Sequence, residues 1–188
     1  INAAGDVTTF AGNGTLGNTA GSGAIASLAA PRAITTDGTY LYVSEYRTTF
    51  GGHRIKRIRI STGHVETIAG DDSVVSPVGA SLDGTGTAAR FNQPAGMALE
   101  NNILYIAERT ASKIRKLDLS TKVVTTLSTA GSLNNPEGIV LVGGFLYVSN
   151  VNNHEIVRVD KITGAQTLFA GNVGGATGSA DAVGTAAY

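Results

Sequence analysis

The sequence predicts an all-β protein built from repeated four-stranded antiparallel units, and three observations carry that prediction. The stretch Phe145-Leu146-Tyr147-Val148-Ser149-Asn150 has two further copies, Tyr40-Leu41-Tyr42-Val43-Ser44-Glu45 and Ile103-Leu104-Tyr105-Ile106-Ala107-Glu108. A proline lies eleven residues before each central tyrosine, at Pro31, Pro94 and Pro136. Two apolar residues three apart follow each copy: Ile55/Ile58, Ile114/Leu117 and Ile156/Val159. Landmarks recurring in one order mark a repeat protein, whose units bury their apolar faces against one another.

Asp6-Val7-Thr8-Thr9-Phe10-Ala11-Gly12 matches the last strand of each repeat, such as His64 to Gly70 and Gln166 to Gly171. Residues 1–12 are therefore expected to hold the outer strand of an incomplete unit. The first full unit, 13–70, opens on a glycine-rich loop. Strands follow over Ala33 to Thr36, around Leu41 and Val43, and over Lys56 to Ile60, with Asp37-Gly38 as the first turn. Thr48-Thr49-Phe50-Gly51-Gly52 reads as an insertion that lengthens this unit by four residues. The second unit, 71–131, contains Asp83-Gly84-Thr85-Gly86 and strands at 95–99, 103–107, 114–119 and 123–127. The third, 132–171, has a shortened entry loop, and residues 172–188 repeat the loop that would lead into another unit. The three-residue step at Ile55/Ile58 breaks a two-residue strand period. A bulge or the preceding turn would account for its recurrence at Ile114 and Ile156.

Composition narrows the function. The formal net charge is zero, which removes a global field for nucleic acid or acidic membrane. Cysteine is absent, and with it disulfides, thiolate metal sites and cysteine nucleophiles. No apolar run reaches the ~18 residues of a membrane-spanning helix. Low charge with abundant Thr, Gly, Ala and Asn leans towards an extracellular or periplasmic location.

Four strands of about five residues make one propeller blade. The chain resembles NHL-repeat β-propellers in Asp83-Gly84-Thr85-Gly86, Phe91, Pro94-Ala95-Gly96-Met97-Ala98, Lys113-Ile114-Arg115-Lys116-Leu117-Asp118 and the three Leu-Tyr-Val/Ile segments. Where that family often has aspartate, Glu45, Glu108 and Asn150 stand instead. The resemblance implies a ring of about six blades, of which three full blades and one orphan outer strand are visible, half a ring. Three blades cannot close, so other copies of the chain, or the missing part of a longer one, are expected to complete it. Val7, Thr9, Phe10, Ala11 and Tyr188 are the expected assembly residues.

Candidate chemistry is thin. Glu45, Glu108 and Asn150 end successive second strands and, with Asp83, are weak candidates for an axial divalent metal. Structural capping of the strand end is the favoured role for the first three. Asp71-Asp72 and Asp83 offer oxygens short of the six to eight that calcium takes, so no cofactor is expected, with calcium as the one candidate. His53 and His154 occupy equivalent turns two blades apart and are expected to be structural, as is His64 in its strand-joining turn. The third-strand cations Arg54, Lys56, Arg57, Arg59, Arg115, Lys116 and Arg158 read as a polar strand face rather than a nucleic-acid platform. The expected function is a non-enzymatic extracellular module for protein interaction or self-assembly. The alternatives are a propeller hydrolase or lyase whose axial metal site is completed by missing blades, and a subunit of a surface filament.

Overall fold

The computed structural model describes residues 5–46, 52–70, 80–128, 131–171, 178 and 183–186. They form three antiparallel sheets. The first contains β1 (Gly21–Ser22), β2 (Pro31–Thr36), β3 (Tyr40–Glu45), β4 (Arg54–Arg59) and β5 (His64–Ala69), in the order β1-β5-β4-β3-β2. The second repeats it with β6 (Gly84–Thr85), β7 (Pro94–Glu100), β8 (Ile103–Glu108), β9 (Lys113–Asp118) and β10 (Val123–Ser128). The third has β11 (Pro136–Val142), β12 (Phe145–Asn150), β13 (Glu155–Asp160) and β14 (Gln166–Gly171) in sequence order. Each proline opens an inner strand, where the missing N–H costs no ladder bond. Inner strand β7 lies beside both β2 and β11, so the sheets fan out from a common axis.

The four-stranded unit is as expected, with one addition. In the first two blades the entry loop lays a two-residue strand, β1 or β6, along the outer strand before crossing to the axis. Among the described residues there is no α-helix, and Lys113–Asp118 is a strand.

The three-residue step has a simpler cause than a bulge. Ile55 pairs with Ser44 and Ile58 with Leu41, so the two isoleucines point to opposite faces of one strand. Ile55 enters the core shared with the second blade, and Ile58 lies on the other face. Ile114 and Leu117 divide likewise between the third blade and the first. A blade with neighbours on both sides must be apolar on both faces. A bulge is nevertheless present at the same level in every blade. The β4–β5, β9–β10 and β13–β14 ladders each skip one outer-strand residue opposite Ile55, Ile114 and Ile156.

The expectation that third-strand cations form a polar face is corrected. Arg54, Lys56 and Arg115 are buried, because they share faces with Val43, Glu45 and Glu108 that turn towards a neighbouring blade or entry loop. Arg57 and Arg59 stand on the opposite face over the Tyr40 ring, at 4.5 and 5.3 Å.

The outer turns rest on short carboxylates. Asp118 Oδ1 accepts from the N–H groups of Ser120 and Thr121 at 2.8 and 3.0 Å. Asp160 Oδ1 accepts from Ile162 and Thr163, both at 2.8 Å. These bonds, led by the N–H of Thr121 and of Thr163, hold both carboxyls below the usual aspartate range. A folded pKa below the unfolded value of about 3.9 stabilises above that value and loses the stabilisation as pH falls through the folded pKa. Urea unfolding from pH 6 downwards should therefore show stability declining below about pH 4. The Asp118→Asn/Asp160→Asn double variant should show a shallower decline; an identical slope would remove these turns from the explanation.

Candidate assembly interface

The three residues that end the second strands serve the fold. Glu45 Oε1 accepts the N–H of Ala29 at 2.8 Å, and Glu108 Oε1 that of Asn92 at 2.8 Å. Asn150 Oδ1 accepts that of Asn134 at 2.5 Å. In each blade the donor lies two residues before the inner-strand proline, so these oxygens anchor the chain as it enters the axis. The next residue is held at positive φ in all three: Ala30, Gln93 and Asn135.

The remaining valences differ instructively. Glu45 Oε2 lies 3.5 Å from the buried Arg54. Glu108 Oε2 meets Arg115 Nη1 at 3.1 Å and accepts from Ser81 Oγ at 2.7 Å. Arg115 also donates to Asp83 Oδ1 at 2.8 Å and to the Leu82 and Arg90 carbonyls at 2.9 and 3.1 Å, binding the entry loop to the blade. In the third blade the polarity is exchanged. Asn150 Nδ2 donates at 3.1 Å to Glu155, which stands where the other blades carry Arg54 and Lys113. The loss of the carboxylate on one strand is matched by its gain on the next.

Glu45, Glu108, Asn150 and Asp83 thus have protein partners of their own. Among the described residues no three His, Asp or Glu side chains come together as metal ligands. Asp71-Asp72 lies outside the described residues.

Of the histidines, His53 belongs to the joint between the first two blades, while His64 is exposed at the start of β5. His53 Nδ1 lies 3.0 Å from the Phe91 carbonyl and 3.3 Å from the Gln93 N–H of the second blade. At the next joint the equivalent Ser112 Oγ accepts the N–H of Asn135 at 3.3 Å. His154 is the third member of this series and is exposed beyond the last blade.

Both outer faces carry the residues that form cores inside. On the face towards the following blade, Tyr42 and Tyr105 are 2% and 4% exposed. Their equivalent Tyr147 lies on a face of the third blade with no other described sheet against it, edge-on to Phe169 with ring centres 4.8 Å apart. Val140 and Val142 pair with Tyr147 and Phe145 on that face and are 55% and 59% exposed. Ser149 also stands there; its equivalent Ser44 donates to the Ala95 carbonyl of the second blade at 2.8 Å. At the other end, Phe10, Leu28, Ile34, Leu41, Val43 and Ile58 line an open groove of about 450 Å³ on the first blade.

A model of the family described as a repeat of unknown function (DUF6923) matches residues 33–187. The chain belongs to this family. This DUF6923 chain is 37% identical over 79 residues to NHL repeat-containing protein 2 of Gallus gallus, across 42% of the chain and 10% of that protein. It is 32% identical over 113 residues to the Bos taurus protein of the same name, across 58% and 14%. The chain thus spans about a tenth to a seventh of the length of these relatives. A chain in a solved nidogen/laminin complex superposes with a TM-score of 0.55 at 17% identity, over 74% of this chain and 46% of that one. That likeness is one of fold. With the NHL relatives, it identifies the three sheets as blades of an NHL-type β-propeller.

The outer strand expected over residues 1–12 of the DUF6923 chain is not formed as a strand among its described residues. Among the described residues, Val7, Thr9, Phe10 and Ala11 form no strand ladder. They keep the place of an outer strand all the same. Gly12 N–H donates to the Gly23 carbonyl at 3.0 Å, as Gly70 N–H does to Gly86 at 3.2 Å. The Phe10 carbonyl sits against Gly23 as that of Ile68 sits against Gly86 and that of Phe169 against Gly184. Val7 is 78% exposed. Tyr188 lies outside the described residues.

Proposed function

We propose that this chain is a non-enzymatic protein-interaction module whose contact surfaces are the uncovered faces of the first and third blades. The observation that carries this is Tyr147, equivalent to two core tyrosines, standing on a face with no blade of the described residues against it. The occupant that fits is another propeller blade: the internal joints supply both the apolar match and the polar one, Ser44 to Ala95 and His53 to Gln93. A second copy, docked third blade to first, provides such a surface. Two copies arranged this way bring six blades together, with the contact made twice by two-fold symmetry. The low charge and absence of cysteine support an extracellular or periplasmic setting.

In such a pair, β14 of one copy and residues 6–12 of the other claim the same outer-strand place. The N-terminal segment is then a placeholder that must yield. Light scattering across a concentration series should give a particle of twice the 19.1 kDa chain mass. Tyr147→Asp should weaken it by about a hundredfold, the loss of a central aromatic anchor. Removing residues 1–12 should strengthen it by about tenfold, since the segment's ties include one backbone hydrogen bond, from Gly12 to Gly23, and one half-exposed ring, Phe10. Chain-sized particles at every concentration would sink the second copy as the occupant. A steadily growing mass would instead indicate a filament.

A further inference from the structure

The end of the axis at which the inner strands begin carries a cluster that the repeat does not require. The residue after each proline is Arg32, Ala95 or Glu137, and the residue after each second strand is Tyr46, Arg109 or Val151. The positions beside them recur: proline three times on one side, and Glu45, Glu108 and Asn150 with one shared capping role on the other. Tyr46 and Arg109 are structurally equivalent, since their N–H groups donate to the carbonyls of Ala30 and Gln93. Positions fixed by the fold repeat; these do not, and the side chains that depart sit together.

Arg32 and Arg109 both place their guanidinium carbons over the Tyr46 ring, at 5.5 and 5.7 Å from its centre. Arg109 Nη1 also donates to the Tyr46 hydroxyl at 2.9 Å. Glu137 forms an ion pair with Arg32. It approaches Arg109 Nε only to 3.8 Å, beyond hydrogen-bond distance. Two cations therefore share one carboxylate, and the cluster holds one positive charge in excess. Its side chains are 40%, 20% and 30% exposed for Arg32, Arg109 and Glu137, so an incoming group can reach them. The surplus charge and the forked donors of two guanidinium groups gathered at one ring suit a planar anion such as a carboxylate.

We infer that this axial mouth binds a carboxylate, presented by an acidic peptide segment of a protein partner. The inference rests on the protein-interaction reading but uses a different surface from the blade faces. The test is NMR titration of the intact chain with a pentaglutamate peptide, following the Arg Nε–H resonances, with inorganic phosphate in a parallel series. Arg32 and Arg109 should shift with the peptide, and Arg32→Gln or Arg109→Gln should each weaken binding by about tenfold or more, the loss of one charge-assisted bond. Arg59→Gln makes the same charge change at the exposed far end of its strand and should leave binding within about twofold. Equal weakening by all three variants, or no shift at Arg32 and Arg109, overturns the site. Equal response to phosphate overturns the peptide as its ligand. Particle mass is read separately, so failure of blade docking and failure of this site give different results.

Discussion

Replacing Arg115 with alanine is expected to destabilise the chain by about 3–5 kcal/mol, the cost of leaving a buried charge without its partner. Arg115 and Glu108 are both fully buried and 3.1 Å apart. The same guanidinium reaches Ser81, Leu82, Asp83 and Arg90, and its carbon lies 5.4 Å from the centre of the Phe91 ring. Its loss strands the Glu108 carboxylate and frees the whole entry loop of the second blade. Glu108→Gln should cost less than Glu108→Ala, because the amide oxygen can still accept from Asn92. Urea unfolding followed by circular dichroism measures each loss. Arg59→Ala, on the exposed end of the first blade's third strand, should stay within about 0.5 kcal/mol. A cost for Arg115→Ala as small as that would show that the buried network contributes nothing net.

The second large effect is expected at Gly164. This residue adopts φ +74°, and a Cβ there would lie 2.1 Å from the Leu127 carbonyl oxygen of the preceding blade. Alanine would meet left-handed strain of about 1–2 kcal/mol. It would also push two outer edges apart, at about 1–3 kcal/mol more. Gly143 is the internal control: it has φ +58°, and a Cβ there would meet nothing within 4 Å, so Gly143→Ala should show the backbone strain alone. The difference between the two variants measures how tightly the second and third blades abut. Equal losses would place all the strain within each turn and none across the joint.

Much of this was legible in the sequence because a propeller repeats its spacing. The prolines located inner strands, and the tyrosine stretches located second strands whose bounds, Tyr40–Glu45, Ile103–Glu108 and Phe145–Asn150, coincide with the repeated segments. The capping role of Glu45, Glu108 and Asn150 was also readable, since one position repeated three times is unsuited to a single converging site. Other features were hidden for physical reasons. A two-residue strand such as Gly84–Thr85 has no period to detect. Arg54, Lys56 and Arg115 alternate with apolar residues just as solvent-facing cations do. What buries them is a neighbouring sheet or the returning entry loop, which one strand's pattern cannot reveal. The axial cluster escaped because its members lie more than sixty residues apart in places, Arg109 and Tyr46 among them. The usable signal was the failure of Arg32/Ala95/Glu137 to recur.

The exchanged polarity at Asn150 and Glu155 bears on how such arrays diversify. A tandem gene grows by duplication and by unequal crossing-over, which can splice the front of one copy to the back of another. A crossover between the second and third strands would join Glu108 to Glu155, placing two acids side by side, or Asn150 to Lys113, leaving neither. Breakpoints that avoid the second strand, the third strand and the turn between them keep each matched couple intact, so the chemistry of one capped strand end limits where ancestry can be shuffled.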